Sequence, residues 1–159
     1  TRDDSSPLRP WDDVLEMDEA LIDNWNSVVK KDDLVCHLGD VCFSGQRYDV
    51  IMPRLNGRKH LIRGNHDLFS EGRYQRHFQK VLGIKVLDQY ALTHVPIHPD
   101  SMSRWKGNIH GHLHANNVLR PAIHEDWPRT EDQRYFNVSV EQIEYTPINF
   151  EEVKKELDK

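Results

Sequence analysis

Seven side chains able to bind a metal or move a proton stand in four short polar stretches of this sequence. Asp40 lies in "GD", Asn65, His66 and Asp67 in "GNHD", His94 at the end of "YALTH", and His112 and His114 in "GHLH". Each stretch follows an apolar run, where a turn alone would not need imidazoles. Mixed carboxylate and imidazole ligands suit Mn²⁺, Fe, Zn²⁺, Co²⁺ or Ni²⁺ rather than Ca²⁺, which prefers an all-oxygen cage. Two histidines two residues apart point the same way on an extended strand, and around a turn they diverge toward two ions. A carboxylate such as Asp40 bridges two cations about 3.5–4 Å apart in hydrolytic two-metal sites. Each stretch also has a plainer reading: "GD" as a turn, "GNHD" as a turn into a helix cap, His94 as a hydrogen-bonded histidine. The chain holds ten histidines, and His94, His98, His110, His112 and His114 crowd into 21 positions.

The elements that must position these residues alternate. From Asp12 a helix is expected, because Met17, Leu21, Ile22, Trp25, Val28 and Val29 recur on one face, and "KKDD" closes it. "LVCHL" reads as a buried strand stopped at Gly39. Residues 45–55 read as a second helix ended by Asn56-Gly57, and "KHLI" as the next strand. A third helix is expected over 72–82, with Tyr74, Phe78, Val81 and Leu82 inward and Gly83 as its stop. "IKVL", "YALTH" and "GNIHG" follow as short strands. The polar segment 115–133, broken by Pro121 and Pro128, reads as an exposed excursion. "RYFNVSVEQ" alternates as a strand, and "NFEEVKKELDK" closes the chain as a helix capped by Asn149. This order predicts an α/β fold, in which ligands bind beyond the carboxyl ends of strands. All four polar stretches fall there.

The totals bound the rest. At 159 residues the chain suits a single domain, 1–159, with one sizeable core. An apolar fraction of 37%, a charged fraction of 30% and a net charge of −5 describe a polar globular composition without a basic block. Nucleic acid stays possible as a substrate, but not through electrostatic tracking. No run approaches the ~20 apolar residues of a membrane span. Cys36 and Cys42 make no disulfide framework, which fits a reducing cytoplasm.

Taken in order, Gly39-Asp40, Gly64-Asn65-His66-Asp67, His94 in "LTHVP" and Gly111-His112-Leu113-His114 resemble the calcineurin-like metallophosphoesterases. The flanking text resembles their small bacterial and phage-type members. The resemblance implies a β-sandwich of mixed sheets flanked by helices and two divalent metal ions, Mn first, with Fe, Zn, Ni or Co as alternatives. It implies that Asp40 bridges both metals, that Asn65, His94 and His112 complete one shell, and that His114 binds the other. His66 binds no metal and is the catalytic residue, stabilising the transition state or protonating the leaving oxygen. The implied reaction is hydrolysis of a phosphomonoester or phosphodiester, with a small phosphoester or nucleotide as substrate. The family's first motif, D-x-H, is missing, and neither Asp3 nor Asp4 supplies it. The chain is read as beginning after that first strand, since a decayed enzyme would have little reason to keep His66.

Two other classes are weighed: a non-catalytic interaction scaffold on the same fold, and a zinc-stabilised structural domain, which the cysteine count disfavours. Around the site, Asp67 orients His66 or caps the next turn, and Arg63 meets phosphate or solvent. His98 and Arg104 are candidate substrate contacts. His37, His60, His77 and His124 have no role, and Trp11, Trp25 and Trp105 are packing residues.

Overall fold

The computed structural model describes residues 9–121 and 128–159, so the readings of Asp3, Asp4 and His124 lie outside the described residues. The chain opens with α1 (Val14–Val28), started by the Asp13 carboxylate, which accepts the Leu15 N–H at 2.7 Å. Next come β1 (Leu34–His37), α2 (Gly45–Ile51), β2 (Arg58–Ile62), α3 (Glu71–Tyr74) and β3 (Lys80–Leu82). The second half holds β4 (Lys85–Leu87), β5 (Tyr90–Thr93), β6 (Gly107–His110), β7 (Tyr135–Asn137) and α4 (Phe150–Leu157). Asn149 caps α4 as expected, accepting the Glu151 N–H at 2.9 Å.

Two sheets result, and the fold class is α/β. The order β1-β2-β3 is wholly parallel, whereas β4-β5-β6-β7 is mixed, with β4 antiparallel to β5 and the other pairs parallel. Side chains alternate across β2, so Leu61 and Ile62, both fully buried, serve opposite faces. Leu61 packs with Tyr48 and Met52 from α2 and its extension and with Tyr74 and Phe78. Ile62 joins Leu38, Tyr90, Leu92, Ile109 and Val153, a cluster drawn from both sheets and α4. Each such side chain contributes about 1.5–3 kcal/mol by leaving water.

Three expectations change. The helix expected over 72–82 is one turn, α3, followed by β3, whose Lys80, Val81 and Leu82 pair with His60, Leu61 and Ile62. The Tyr74/Phe78 spacing is real, and both are buried, but the open edge of β2 captures Val81 and Leu82 for a strand. The second helix stops at Ile51 and tightens over Met52–Arg54 at Pro53. The strand expected over "RYFNVSVEQ" shrinks to β7, because Asn137 Oδ1 accepts the Ser139 N–H at 2.9 Å and turns the chain away. The segment 115–133 is largely exposed where described, with Asp132 buried at 3%, and its arms meet through a Leu119–Glu131 bridge. No described helix is long and apolar enough to cross a membrane.

His60, on β2, is 8% exposed and its Nδ1 lies 2.9 Å from Lys85 Nζ. Burial first, and the Lys85 cation second, hold its imidazole below the ordinary histidine value. Burial pushes His37 and His110 the same way. The unfolded chain therefore binds more protons, and stability is lost as pH falls through about 6.5. In chelator, the urea midpoint at pH 5.5 is expected to lie below that at pH 7.5. Equal midpoints would show that these histidines protonate freely in the folded chain.

Candidate metal centre

Two loops bring the first ligands together. After β1 the chain turns through Gly39 at φ 94° and Asp40 at φ 54°, left-handed values that glycine takes without strain and aspartate tolerates. His37 Nδ1 accepts the Gly39 N–H at 3.2 Å and steadies the turn. A Cβ at Gly39 would stand 2.6 Å from both Gly64 N and His94 Nδ1, so glycine is required there for close approach. After β2 comes the loop from Arg63 to Asp67.

Asp67, 1% exposed, ties the loops to each other. Its carboxylate accepts the backbone N–H groups of Asp40 (2.8 Å), Val41 (2.9 Å) and Gly64 (2.8 Å), and the Tyr74 hydroxyl at 3.3 Å. It neither orients the His66 imidazole nor caps the following turn, contrary to both sequence readings. The physical reason is its depth: a buried carboxylate takes the nearest clustered amides. Arg63, itself exposed, donates to the carbonyls of Asp67 (2.8 Å) and Phe69 (3.1 Å).

The centre itself lies where the two sheets meet. His94, at the end of β5, is 6% exposed, and its Nδ1 lies 2.7 Å from the Leu38 carbonyl, to which it donates. That bond leaves the Nε2 lone pair facing three atoms that also carry lone pairs. Asn65 Oδ1 is 2.9 Å away, Asp40 Oδ2 3.3 Å and His112 Nδ1 3.2 Å. The ligand atoms of Asp40, His94 and His112 all lie within 4.8 Å of one another. Acceptors crowded in this way repel unless a cation or proton lies among them. A ligating histidine whose other nitrogen is fixed by a backbone carbonyl is the usual outer arrangement of a metal site. The donor set of two imidazoles, a carboxylate and an amide oxygen therefore fits a divalent transition metal.

His112 (φ 68°) and His114 (φ 50°) both lie on left-handed backbone, so the "GHLH" turn sends them apart. His114 does not join the cluster. Its Nδ1 lies 3.3 Å from Glu141 Oε1, while Glu141 Oε2 is buried with no hydrogen-bond partner. His66 is exposed, its backbone N–H donating to Asp40 Oδ1 at 2.8 Å, which fixes the carboxylate from outside. His98 caps the short turn Pro99–Arg104, with Nδ1 accepting the Asp100 N–H at 3.3 Å, and Arg104 is exposed.

Sequence reading missed several positioning residues. Asn108, fully buried in β6, donates to the Ala91 carbonyl (2.8 Å) and Thr93 Oγ1 (2.9 Å) and accepts the Ile97 N–H (2.9 Å), bracing the His94 loop. Asn137 donates to the carbonyls of His114 (2.9 Å) and Asn116 (2.8 Å), holding the "GHLH" turn. Both are amides set inside otherwise apolar strands, which is a readable signal. Glu141 and His37 carry no comparable mark. Asp67→Asn keeps the shape but turns an N–H toward backbone donors, and is expected to cost about 3 kcal/mol in urea unfolding and to weaken Mn²⁺ retention. A loss below about 1 kcal/mol would mean that the loop amides find other acceptors.

No protein-family model matches the chain. It is 34% identical over 159 residues to the uncharacterized protein MJ1445 of Methanocaldococcus jannaschii, covering 95% of this chain and 81% of that protein. It is also 46% identical over 61 residues to the gene 66 protein of Mycobacterium phage L5, which covers 35% of this chain and 29% of the phage protein. In structure it is similar to a protein of unknown function, AQ665, from Aquifex aeolicus, with a TM-score of 0.64 and 23% identity over 87% of this chain and 83% of that one. The last likeness establishes a shared fold. The extent and identity of the first establish that the chain belongs to the family of the Methanocaldococcus jannaschii protein MJ1445.

Proposed function

We propose that the chain is a metal-dependent phosphoesterase with the calcineurin-like metallophosphoesterase fold. The observation that supports this reading is the convergence of Asp40, Asn65, His94 and His112 from four strand ends, with lone pairs facing one another. These four would hold one divalent cation. The second cation of the resemblance has Asp40 and His114 as its protein ligands. Bound cations supply the chemistry such hydrolysis needs: they acidify water and neutralise charge building on the phosphoryl oxygens.

The chain's own residues do the rest. His94 is held by the Leu38 carbonyl, so its Nε2 faces inward without reorganisation. Asp40 is fixed through its backbone by Asp67 and through its Oδ1 by the His66 N–H. His66, next in sequence to the ligand Asn65, is free to carry a proton to the departing oxygen. Water adds its hydroxyl to phosphorus and releases its other proton to solvent, the P–O ester bond breaks, the proton from His66 completes the alcohol, and solvent restores the proton on His66.

His114 turned toward Glu141 favours a second reading, in which one cation binds and the domain acts as a scaffold. Two measurements separate them. His66→Ala is expected to lower turnover of bis-p-nitrophenyl phosphate by about 10²–10⁴-fold while leaving Mn²⁺ content unchanged. Loss of metal from that variant would overturn the role given to His66. In added Mn²⁺ the chain is expected to hold one ion firmly at Asp40, Asn65, His94 and His112, lost in His94→Ala, and a second one weakly, since the resemblance leaves it only Asp40 and His114 as protein ligands. One Mn²⁺ without turnover would establish the scaffold.

A further inference from the structure

Among the described residues the aromatic side chains are buried or half-buried, except Phe43 beside the site. Tyr48, Tyr74, Tyr90 and Phe78 are 0–2% exposed, whereas Phe43 is 77% exposed. Phe43 stands three residues after Asp40, on the same loop. Its ring centroid lies 5.2 Å from that of His66, at an interplanar angle of 58°. The loop is not loose at this point. Val41 is bonded to Asp67, Cys42 Sγ donates to the Ser44 carbonyl at 3.3 Å, and Ser44 caps α2. Leu68, on the second ligand loop, is 80% exposed, and its N–H donates to the His66 carbonyl at 3.0 Å. Both ligand loops thus keep a large apolar side chain in solvent next to the same histidine. Exposed apolar residues are ordinary, and other large ones occur along the chain, but Phe43 alone among them packs its ring against the His66 imidazole.

We infer that Phe43 is the stacking platform for a flat aromatic ring in the organic group of the ester, a nucleobase being the biological form. The inference rests on the phosphoesterase reading and names its substrate class. A ring tilted against His66 and 77% exposed keeps a face open to solvent, and stacking on that face needs no particular pattern of donors. The net charge of −5 disfavours extended nucleic acid, so the ring belongs to a small nucleotide ester.

The test compares binding of adenosine 5′-monophosphate and ribose 5-phosphate, in Mn²⁺, by calorimetry on the native chain, Phe43→Ala and Phe43→Trp. The native chain is expected to favour the ring-bearing ligand by roughly tenfold. Phe43→Ala is expected to bring the two to parity without changing affinity for ribose 5-phosphate, and Phe43→Trp to keep the preference. A preference that survives Phe43→Ala, equal native affinities, or binding of neither ligand would each overturn the platform. Failure to hydrolyse any ester while the ring preference persists would instead overturn the phosphoesterase reading and leave the platform standing.

Discussion

One carboxylate organises this molecule's chemistry. Asp67 gathers backbone amides from the loop after β1 and the loop after β2, which the parallel pairing of the two strands sets side by side but does not itself join. Hydrogen bonds from amides to a buried carboxylate are among the stronger polar contacts in proteins. Here they close a gap that apolar packing leaves open, because Gly39 and Gly64 must approach so nearly that a side chain on either would collide. Asp40 inherits its position from this arrangement: its backbone is held from one side, and its carboxylate is aimed from the other by the His66 N–H.

The second constraint is electrostatic. His94 Nδ1 donates to the Leu38 carbonyl, and its Nε2 is left facing oxygen and nitrogen atoms of Asn65, Asp40 and His112 within 3.3 Å. Acceptors brought this close repel unless a proton or a cation lies among them. Polar residues inside the strands carry this cost structurally. Asn108 and Asn137 fasten the loops that bear His94 and His112, so the acceptors cannot drift apart.

Much of this was legible in the sequence. The strand-end positions of Asp40, Asn65, His94 and His112 followed from apolar runs that stop at glycine or polar residues, and the same four converge in space. The cap at Asn149 and the strands flanking the site were readable for similarly local reasons. The third helix was misread because Tyr74 and Phe78 keep a helical spacing, while the decision for Val81 and Leu82 is made by an open edge of β2 that no local pattern reveals. His114 and Glu141 lie 27 residues apart, so their pairing was invisible along the chain. Asp67 was noticed, but its partners are backbone amides, which leave no trace in residue identity.

The bond from His94 to Leu38 joins positions 56 residues apart and links the end of β5 in one sheet to the end of β1 in the other. Ligands divided between two sheets cannot be gathered by either sheet alone. An intermediate with only one sheet formed would lack the centre, however well ordered that sheet was. Contacts of such long sequence separation form late, after the loop-closure entropy of both halves has been met. A cation that binds only the finished centre then stabilises the native state and hardly touches the transition state. Its effect falls on the rate at which the sheets part, not on the rate at which they meet. A cation held there would act as a latch on the seam between the sheets, lengthening the time for which the fold persists.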